Sequence, residues 1–201
     1  MKSIKSLTMK ALAFFLLITL LCGVIYPLFV TGVSQLLFPK QANGSIIEVN
    51  GKKYGSELLA QQFNGNQYMW GRVMNLDTKT FKDKDGNTLL YATPSNLSPA
   101  SDAYKKTIAD RVAKIRTADP SSADTPIPED LVTCSGSGLD PHISPAAAEY
   151  QINRIAKARG ISSDTVREIM LQYTNKKVLD VFGEDTVNVL QVNLALDGIL
   201  K

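Results

Sequence analysis

The stretch Ala11–Pro39 reads ALAFFLLITLLCGVIYPLFVTGVSQLLFP and contains no charged side chain. An α-helix rises about 1.5 Å per residue and the hydrocarbon core of a bilayer is about 30 Å thick, so about 20 apolar residues span a membrane. The stretch is longer than that, and longer than the roughly 7–15-residue apolar core of a cleaved signal peptide. We therefore expect a retained transmembrane helix over residues 11–39, kinked at Pro27, which lacks a backbone N–H.

The charges around this stretch predict its orientation. Lys2, Lys5 and Lys10 precede it without an acidic residue, and cytoplasmic flanks carry the excess of Lys and Arg. We expect residues 1–10 to form a cytoplasmic tail, and residues 40–201 to form a single domain outside the cytoplasmic (inner) membrane.

The charge balance also excludes a class of partner. The net charge is +3, and the three N-terminal lysines supply it, because the chain from Lys40 onward has 19 basic and 19 acidic residues. A neutral domain has little long-range attraction for phosphate backbones, so nucleic-acid binding is not expected. The lipid bilayer is the expected non-protein partner.

Turn and capping signals predict that the domain is α+β, with helices dominating its C-terminal half. Asn50-Gly51 suits a type I′ hairpin turn, and Ser144-Pro145 is a strong helix start. The predicted elements are hairpins over 45–54 and 80–91, helices over 56–62, 102–116 and 144–159, a further helix from Ser162 or Ser163, a short buried strand over 129–134, and a helix over 186–200 whose alternation also permits a strand.

A glycine-rich segment ahead of Ser144-Pro145 is the first candidate site. It does not match the G-x-S-x-G nucleophile elbow, because Ser135 replaces the first glycine, and neighbouring residues in a turn rarely form a triad. The single histidine excludes a zinc site, and no phosphate-loop motif is present. We expect neither a catalytic residue nor a metal. A partner- or anion-contacting loop and a tight turn remain open for Ser135, Gly136, Ser137, Gly138, Asp140, His142 and Ser144.

The second candidate is Tyr68-Met-Trp-Gly-Arg72, which contains the only tryptophan. Trp, Tyr, Met and Arg are favoured at protein interfaces. A partner interface formed by Tyr68, Trp70 and Arg72 and a buried core strand are therefore both open interpretations.

The block IPEDLVTCSGSGLDPHISPAAAEYQINRIAKARG, Ile127 to Gly160, resembles the C subunit of the bacterial Kdp-type potassium-transporting ATPase. Trp70-Gly-Arg72, Ser95–Pro99, and Gly183–Leu190 extend the resemblance over essentially the whole chain. Val73-Met74 and Cys134 depart from residues common in that family, and neither departure falls in the glycine-rich segment.

The resemblance implies a non-catalytic subunit of a P-type ATPase complex that imports potassium. The implied partners are a channel-like potassium-translocating subunit, an ATP-hydrolysing P-type subunit and a small membrane subunit. ATP and potassium would be used by the complex, with no cofactor bound by this chain. Two roles follow from the family: assembly at the outer membrane face, which we favour, and a catalytic chaperone that raises the ATP affinity of the hydrolysing subunit.

Overall fold

The apolar N-terminal stretch forms one long helical segment. In the structure, a computed structural model that describes residues 4–201, α1 (Ile4–Leu20), a π-helical turn (Leu21–Ile25) and α2 (Tyr26–Leu37) follow one another. This is the one helix in the described residues that is long and apolar enough to cross a membrane, with a mean hydropathy of 2.5. Lys2, used for the predicted orientation, lies outside the described residues.

The helix is disturbed next to its proline. Pro27 cannot donate a hydrogen bond, and in the π-helical turn just before it the N–H of Tyr26 donates to Leu21 O. The kink predicted at this position stays a prediction. The helix stops at Leu37, because Phe38 precedes a proline and leaves the helical region at φ −136°. A short helix, α3 (Pro39–Ala42), follows.

The chain divides into two units, residues 1–46 and 47–201, and short antiparallel strands organise the second. The strands β1 (Ile46–Val49) and β2 (Lys52–Ser56) form the expected hairpin, with positive φ at Asn50 and Gly51. Two further strands, β3 (Leu76–Asp77) and β4 (Tyr91–Ala92), pair antiparallel. The third sheet has the order β5-β7-β6 and consists of β5 (His142–Ile143), β6 (Thr174–Asn175) and β7 (Thr186–Asn188).

Five helices complete the second unit, and side-chain caps begin four of them. The caps are Ser101, Ser144, Ser162 and Asn188, each of which accepts a backbone N–H three residues later. The core packs the sheet against these helices around buried Ile152, Ile155, Val166, Val187 and Val192. The helices are α4 (Asp102–Ala118), α5 (Pro145–Glu149), α6 (Ile152–Arg159), α7 (Ser163–Gln172) and α8 (Val189–Leu196).

The α+β class is confirmed, but some predicted elements are wrong. No helix forms over residues 56–62, because the Ser56 hydroxyl caps only a turn at Leu58. The strand predicted over 129–134 is a 3₁₀ turn, Glu129–Leu131, followed by a single parallel bridge between Val73 and Cys134.

The two C-terminal predictions are each half correct. The helix predicted over 144–159 is divided into α5 and α6 at Tyr150 and Gln151, where the N–H of Gln151 bonds to Ala148 O in a tighter turn. The segment 186–200 combines both predicted alternatives, since β7 leads directly into α8.

Candidate functional site

The glycine-rich segment is a tight loop between the bridge at Cys134 and strand β5. Gly138 is buried with φ +73°, and its N–H lies 3.0 Å from Ser135 Oγ. Its carbonyl accepts a hydrogen bond of 3.2 Å from Asn75 N–H. A Cβ atom added to Gly138 would lie 2.4 Å from Thr93 O. Only glycine fits at this position.

The polar side chains of the loop bond to the loop's own backbone. Ser137 Oγ accepts the N–H of Leu139 at 3.2 Å, Asp140 Oδ1 accepts that of His142 at 2.9 Å, and Ser144 Oγ accepts that of Ala147 at 3.1 Å. Asp130 Oδ2 accepts the N–H of Ser144 at 2.6 Å. Four backbone N–H groups that an anion-binding site would use are therefore already bonded to side-chain oxygens.

The structure brings Arg72 into this loop, although the sequence predicted it as part of a different candidate. Its Nη1 lies 3.7 Å from Asp130 Oδ1 and 3.8 Å from Asp140 Oδ2, and Nη2 donates to Thr133 Oγ1 at 3.3 Å. His142 Nδ1 is 3.8 Å from Asp140 Oδ1. These residues line an open cleft of about 280 Å³ that Glu184 and Asp185 border.

A Ser–His nucleophile is not formed in this loop. Ser135 Oγ and Ser137 Oγ lie 3.2 Å from each other, whereas His142 Nε2 lies 3.4 Å from the Asn188 amide on β7. Within residues 4–201, no group of three His, Cys, Asp or Glu side chains is arranged to hold a metal ion.

The second candidate, Tyr68-Met-Trp-Gly-Arg72, is held in place by two buried side-chain amides. Asn193 accepts the N–H of Met69 at 2.8 Å and donates to Met69 O at 2.9 Å. Gln151 does the same for Trp70, at 2.8 Å and 3.0 Å. Each carboxamide thus replaces a neighbouring strand, satisfying one N–H and one C=O of an extended backbone.

Two arginines fix the rest of this segment. Arg154 is buried and donates to Asn66 O at 2.5 Å and to Tyr68 O at 3.0 Å. Burial lowers the pKa of Arg154 to about 10, although Asp119 acts against this. Its guanidinium also stacks 4.1 Å from the Trp70 ring centre. Arg159 donates to Gln67 O at 2.7 Å and lies 5.2 Å from the Tyr68 ring centre.

The geometry favours the structural interpretation for Tyr68 and Trp70. Both rings are half-buried, Trp70 Nε1 donates to Gly65 O at 3.0 Å, and Tyr68 Oη donates to Asp197 at 3.1 Å. The hydrogen bond to Asp197 raises the pKa of Tyr68. Contact of either residue with a partner stays a prediction.

Comparison with known proteins identifies the family. The family model for K+-transporting ATPase, c chain (KdpC), matches residues 8–198. The chain belongs to the KdpC family. A relative from Clostridium botulinum strain Eklund 17B, named potassium-transporting ATPase KdpC subunit, is 60% identical over 201 residues and 100% of both chains.

More distant KdpC relatives match over nearly the same length. One from Clostridium perfringens is 58% identical over 96% of this chain and 97% of its own. One from Herpetosiphon aurantiacus is 44% identical over 94% of each chain. Both carry the same subunit name, and the resemblance read from the sequence is confirmed.

Sequence reasoning missed two surface features of this KdpC-family chain. The hairpin tip, residues 178–182, exposes Val178, Leu179, Val181 and Phe182; the sequence shows this short apolar run, but only the structure shows that it stays exposed. The second is a cluster of cations around Trp70, whose members come from distant parts of the chain, so no local pattern indicates it.

Proposed function

We propose that the chain is a non-catalytic accessory subunit of an ATP-driven, high-affinity potassium import complex. In this role it assembles and stabilises the channel-like and P-type ATPase subunits, together with a small membrane subunit, at the outer face of the cytoplasmic membrane. The observation that carries the proposal is the loop 135–144, whose hydroxyls and carboxylates bond to its own backbone as parts of a rigid support. Membership of the KdpC family is the reason for assigning the chain to a potassium transport complex.

The hairpin tip supports a protein-contacting role. Leu179 is 81% and Phe182 65% exposed, and contiguous exposed apolar side chains mark interaction surfaces. Leu179 and Asp180 have φ of +55° and +57°, which is unfavourable for a bulky residue such as Leu179. Backbone strain that is retained in a native fold concentrates at sites of function.

The base of the hairpin is rigid. Lys176 Nζ lies 2.9 Å from Asp185 Oδ2, and the N–H of Lys177 donates to Asp185 Oδ1 at 3.0 Å. The Lys176 hydrogen bond, followed by that of the Lys177 N–H, holds the pKa of Asp185 below its ordinary value. These contacts close the base of the hairpin and restrict the conformations of the apolar tip, which lowers the entropy cost of binding a partner.

The proposal is tested by affinity purification of the tagged chain from membranes of potassium-starved cells in mild detergent. We expect stoichiometric recovery of a channel-like subunit and a P-type ATPase. Recovery of the chain alone, with those subunits present in the same membranes, would contradict the proposal. Normal growth of a deletion strain at limiting potassium would contradict it as well.

The proposed orientation has its own test. In a Cys134→Ala background, Lys84→Cys places a thiol on an exposed loop, while Cys22 lies in the apolar helix. We expect a membrane-impermeant thiol reagent to label the Lys84→Cys variant in intact cells as fully as in permeabilised cells. Labelling only after permeabilisation would place the second unit in the cytoplasm.

The alternative function is a catalytic chaperone that raises ATP affinity in the hydrolysing subunit. It needs a domain on the cytoplasmic side, where ATP is present, so cytoplasmic labelling of the Lys84→Cys variant would favour it. Against it stands the loop 135–144, because the amides of Gly138, Leu139, His142 and Ser144 are already bonded and are not available to phosphate oxygens.

A further inference from the structure

A small cleft between α4 and the segment 61–74 is lined by three cations, of which Arg72 also pairs with Asp130 and Asp140. Arg72, Arg111 and Lys114 line it together with Trp70 and the amides of Gln61 and Gln62, and no Asp or Glu is among its lining residues. Arg154 adds a fourth positive charge, since it stacks on the Trp70 ring on which Lys114 Nζ also lies, at 4.9 Å. The domain as a whole is neutral, so this concentration of one sign is local.

In the part of the chain that the structure describes, several nitrogen atoms of these cationic side chains lack a hydrogen-bond acceptor or an anionic partner. Within residues 4–201, Arg111 is half-buried and makes no hydrogen bond or ion pair. Arg72 Nε is fully buried and also has no hydrogen-bond partner in that part of the chain. Lys114 Nζ reaches only a neutral acceptor, Asn64 Oδ1, at 3.2 Å. Arg72 Nη1 still pairs with Asp130 and Asp140, and Lys114 is exposed, so Arg111 is the half-buried cation of the cleft that lacks an acidic partner within residues 4–201.

The pKa directions agree with that description. Burial alone lowers the pKa of Arg111. Burial, with the charges of Arg111 and Arg154, lowers the pKa of Lys114. A group whose charged form is disfavoured by burial and by like charges gains most from an incoming anion.

We propose that this cleft receives one carboxylate group of a partner subunit, with Arg111 and Lys114 as its ligands, while Arg72 stays paired with Asp130 and Asp140. The carboxylate would accept charge-assisted hydrogen bonds from the guanidinium and the ammonium group, the strongest kind that side chains form.

The cleft is small and open to solvent, with about 20 Å³ of space for water-sized atoms. Its positive charge fits an anionic group. The occupant is a carboxylate because the proposed partners are protein subunits, whose anionic side chains are those of Asp and Glu. The inference rests on the proposed function and names one attachment point within it.

The test uses the complex purified from membranes. A carbodiimide joins an amine to a carboxylate in direct contact by an amide bond with loss of water. We expect a cross-link from Lys114 to an Asp, a Glu or a C-terminus of a co-purified subunit. Lys114→Arg keeps the charge but has no reactive amine, so this cross-link should disappear while the subunits still co-purify. A Lys114 side chain that is not cross-linked in the assembled complex overturns the carboxylate assignment.

A second variant measures the contribution of Arg111. Arg111→Met removes the charge and keeps an unbranched side chain, and we expect partner recovery to fall at least tenfold. The melting temperature of the purified chain should stay the same or rise, because an unpaired charge is lost. Lys105→Gln, on the exposed part of the same helix, is the control and should leave recovery unchanged.

The outcomes separate the two hypotheses. If the unsubstituted chain recovers no partner, the proposed function fails. If it recovers its partners and Arg111→Met recovers as much as Lys105→Gln, the proposed function stands and the carboxylate site is wrong. If Arg111→Met lowers the melting temperature as well as partner recovery, Arg111 has a structural role. That result would also overturn the carboxylate site.

Discussion

Gly138 and Gly136 differ in how strongly the loop requires them. Gly138 has φ +73° and a Cβ there would lie 2.4 Å from Thr93 O, whereas a Cβ on Gly136 meets nothing within 4 Å. We expect Gly138→Ala to lower the free energy of unfolding by about 2 kcal/mol or more, because positive φ costs an alanine about 1–2 kcal/mol before the clash is added. Gly136→Ala should change it by less than about 0.5 kcal/mol.

The only tryptophan provides the readout for this comparison. Trp70 lies in the second unit, so its fluorescence follows the unfolding of that unit with the full chain in detergent. Equal denaturation midpoints for Gly138→Ala and Gly136→Ala would contradict the tight-loop interpretation.

Asp119 makes the stability of the second unit depend on pH. Burial acts to raise its pKa, but hydrogen bonds from Ser121 Oγ and Ser122 Oγ, each 2.5 Å long, and the charge of Arg154 hold the pKa below its ordinary value of 3.8. A depressed folded-state pKa means stability that is present above pH 3.8 and lost as the pH falls through the folded-state value. Asp119→Asn should be less stable at pH 7, and we expect the difference to shrink below pH 4. If the unfolding free energies of the unsubstituted chain and Asp119→Asn differ by the same amount from pH 7 to pH 2, the prediction is wrong.

Single residues were well predicted where the signal is local. The cap at Ser144 follows from one hydroxyl and the helix after it, the cap at Ser162 was one of two predicted alternatives, and Asn50-Gly51 specifies its turn alone. Arg111 was not predicted as a site residue, because its burial and missing partner depend on Leu131 and on the segment 61–74, which lie 20 to 50 positions away in the chain.

Among the elements, the segment 66–72 shows how side chains replace a strand. Met69 is fully buried, yet its backbone bonds to Asn193 on α8 rather than to a sheet. We expect Asn193→Ala to lower the free energy of unfolding by about 2–5 kcal/mol, because it leaves one buried N–H and one buried C=O without partners. Asn153→Ala, which removes an exposed acceptor for Ser163 Oγ, is the matched control and should cost less than about 1 kcal/mol. If chemical denaturation gives comparable losses of unfolding free energy for the two variants, the pairing of the Asn193 amide with the Met69 backbone contributes little to stability.

The same pairing explains one failure of element prediction. The apolar and capping pattern over 144–159 is helical throughout, but the Gln151 side chain pairs with Trp70 where the helix is interrupted. That contact joins residues 81 positions apart, so periodicity does not reveal it. The 129–134 segment fails for a related reason, since its Leu131 and Val132 look like a strand but only Cys134 finds a bridge partner.

At the scale of the whole molecule, charged side chains and exposed apolar side chains are unevenly distributed. The sequence identified the apolar helix and the neutral region from Lys40 onward, and family membership is confirmed by full-length relatives. The proposed carboxylate cleft and the apolar hairpin tip were not identified, because both are defined by what remains unpaired after folding. Two such surfaces in one unit fit the proposed role in contacting partner subunits.

The hairpin tip allows stability and partner binding to be separated. Glycine at position 179 or 180 relieves about 1–2 kcal/mol of positive-φ strain and costs about 0.5–1 kcal/mol in unfolded-chain entropy. Both Leu179→Gly and Asp180→Gly should therefore be as stable as the unsubstituted chain or up to about 1 kcal/mol more stable.

Partner recovery should distinguish the two variants, since only Leu179→Gly removes a side chain that is 81% exposed. We expect Leu179→Gly to lose the co-purifying subunits and Asp180→Gly to retain them, with melting temperatures measured on the same preparations. Retention by both variants would exclude the tip as a contact surface. Loss in both would assign the effect to the loop conformation, because Asp180→Gly removes no apolar area.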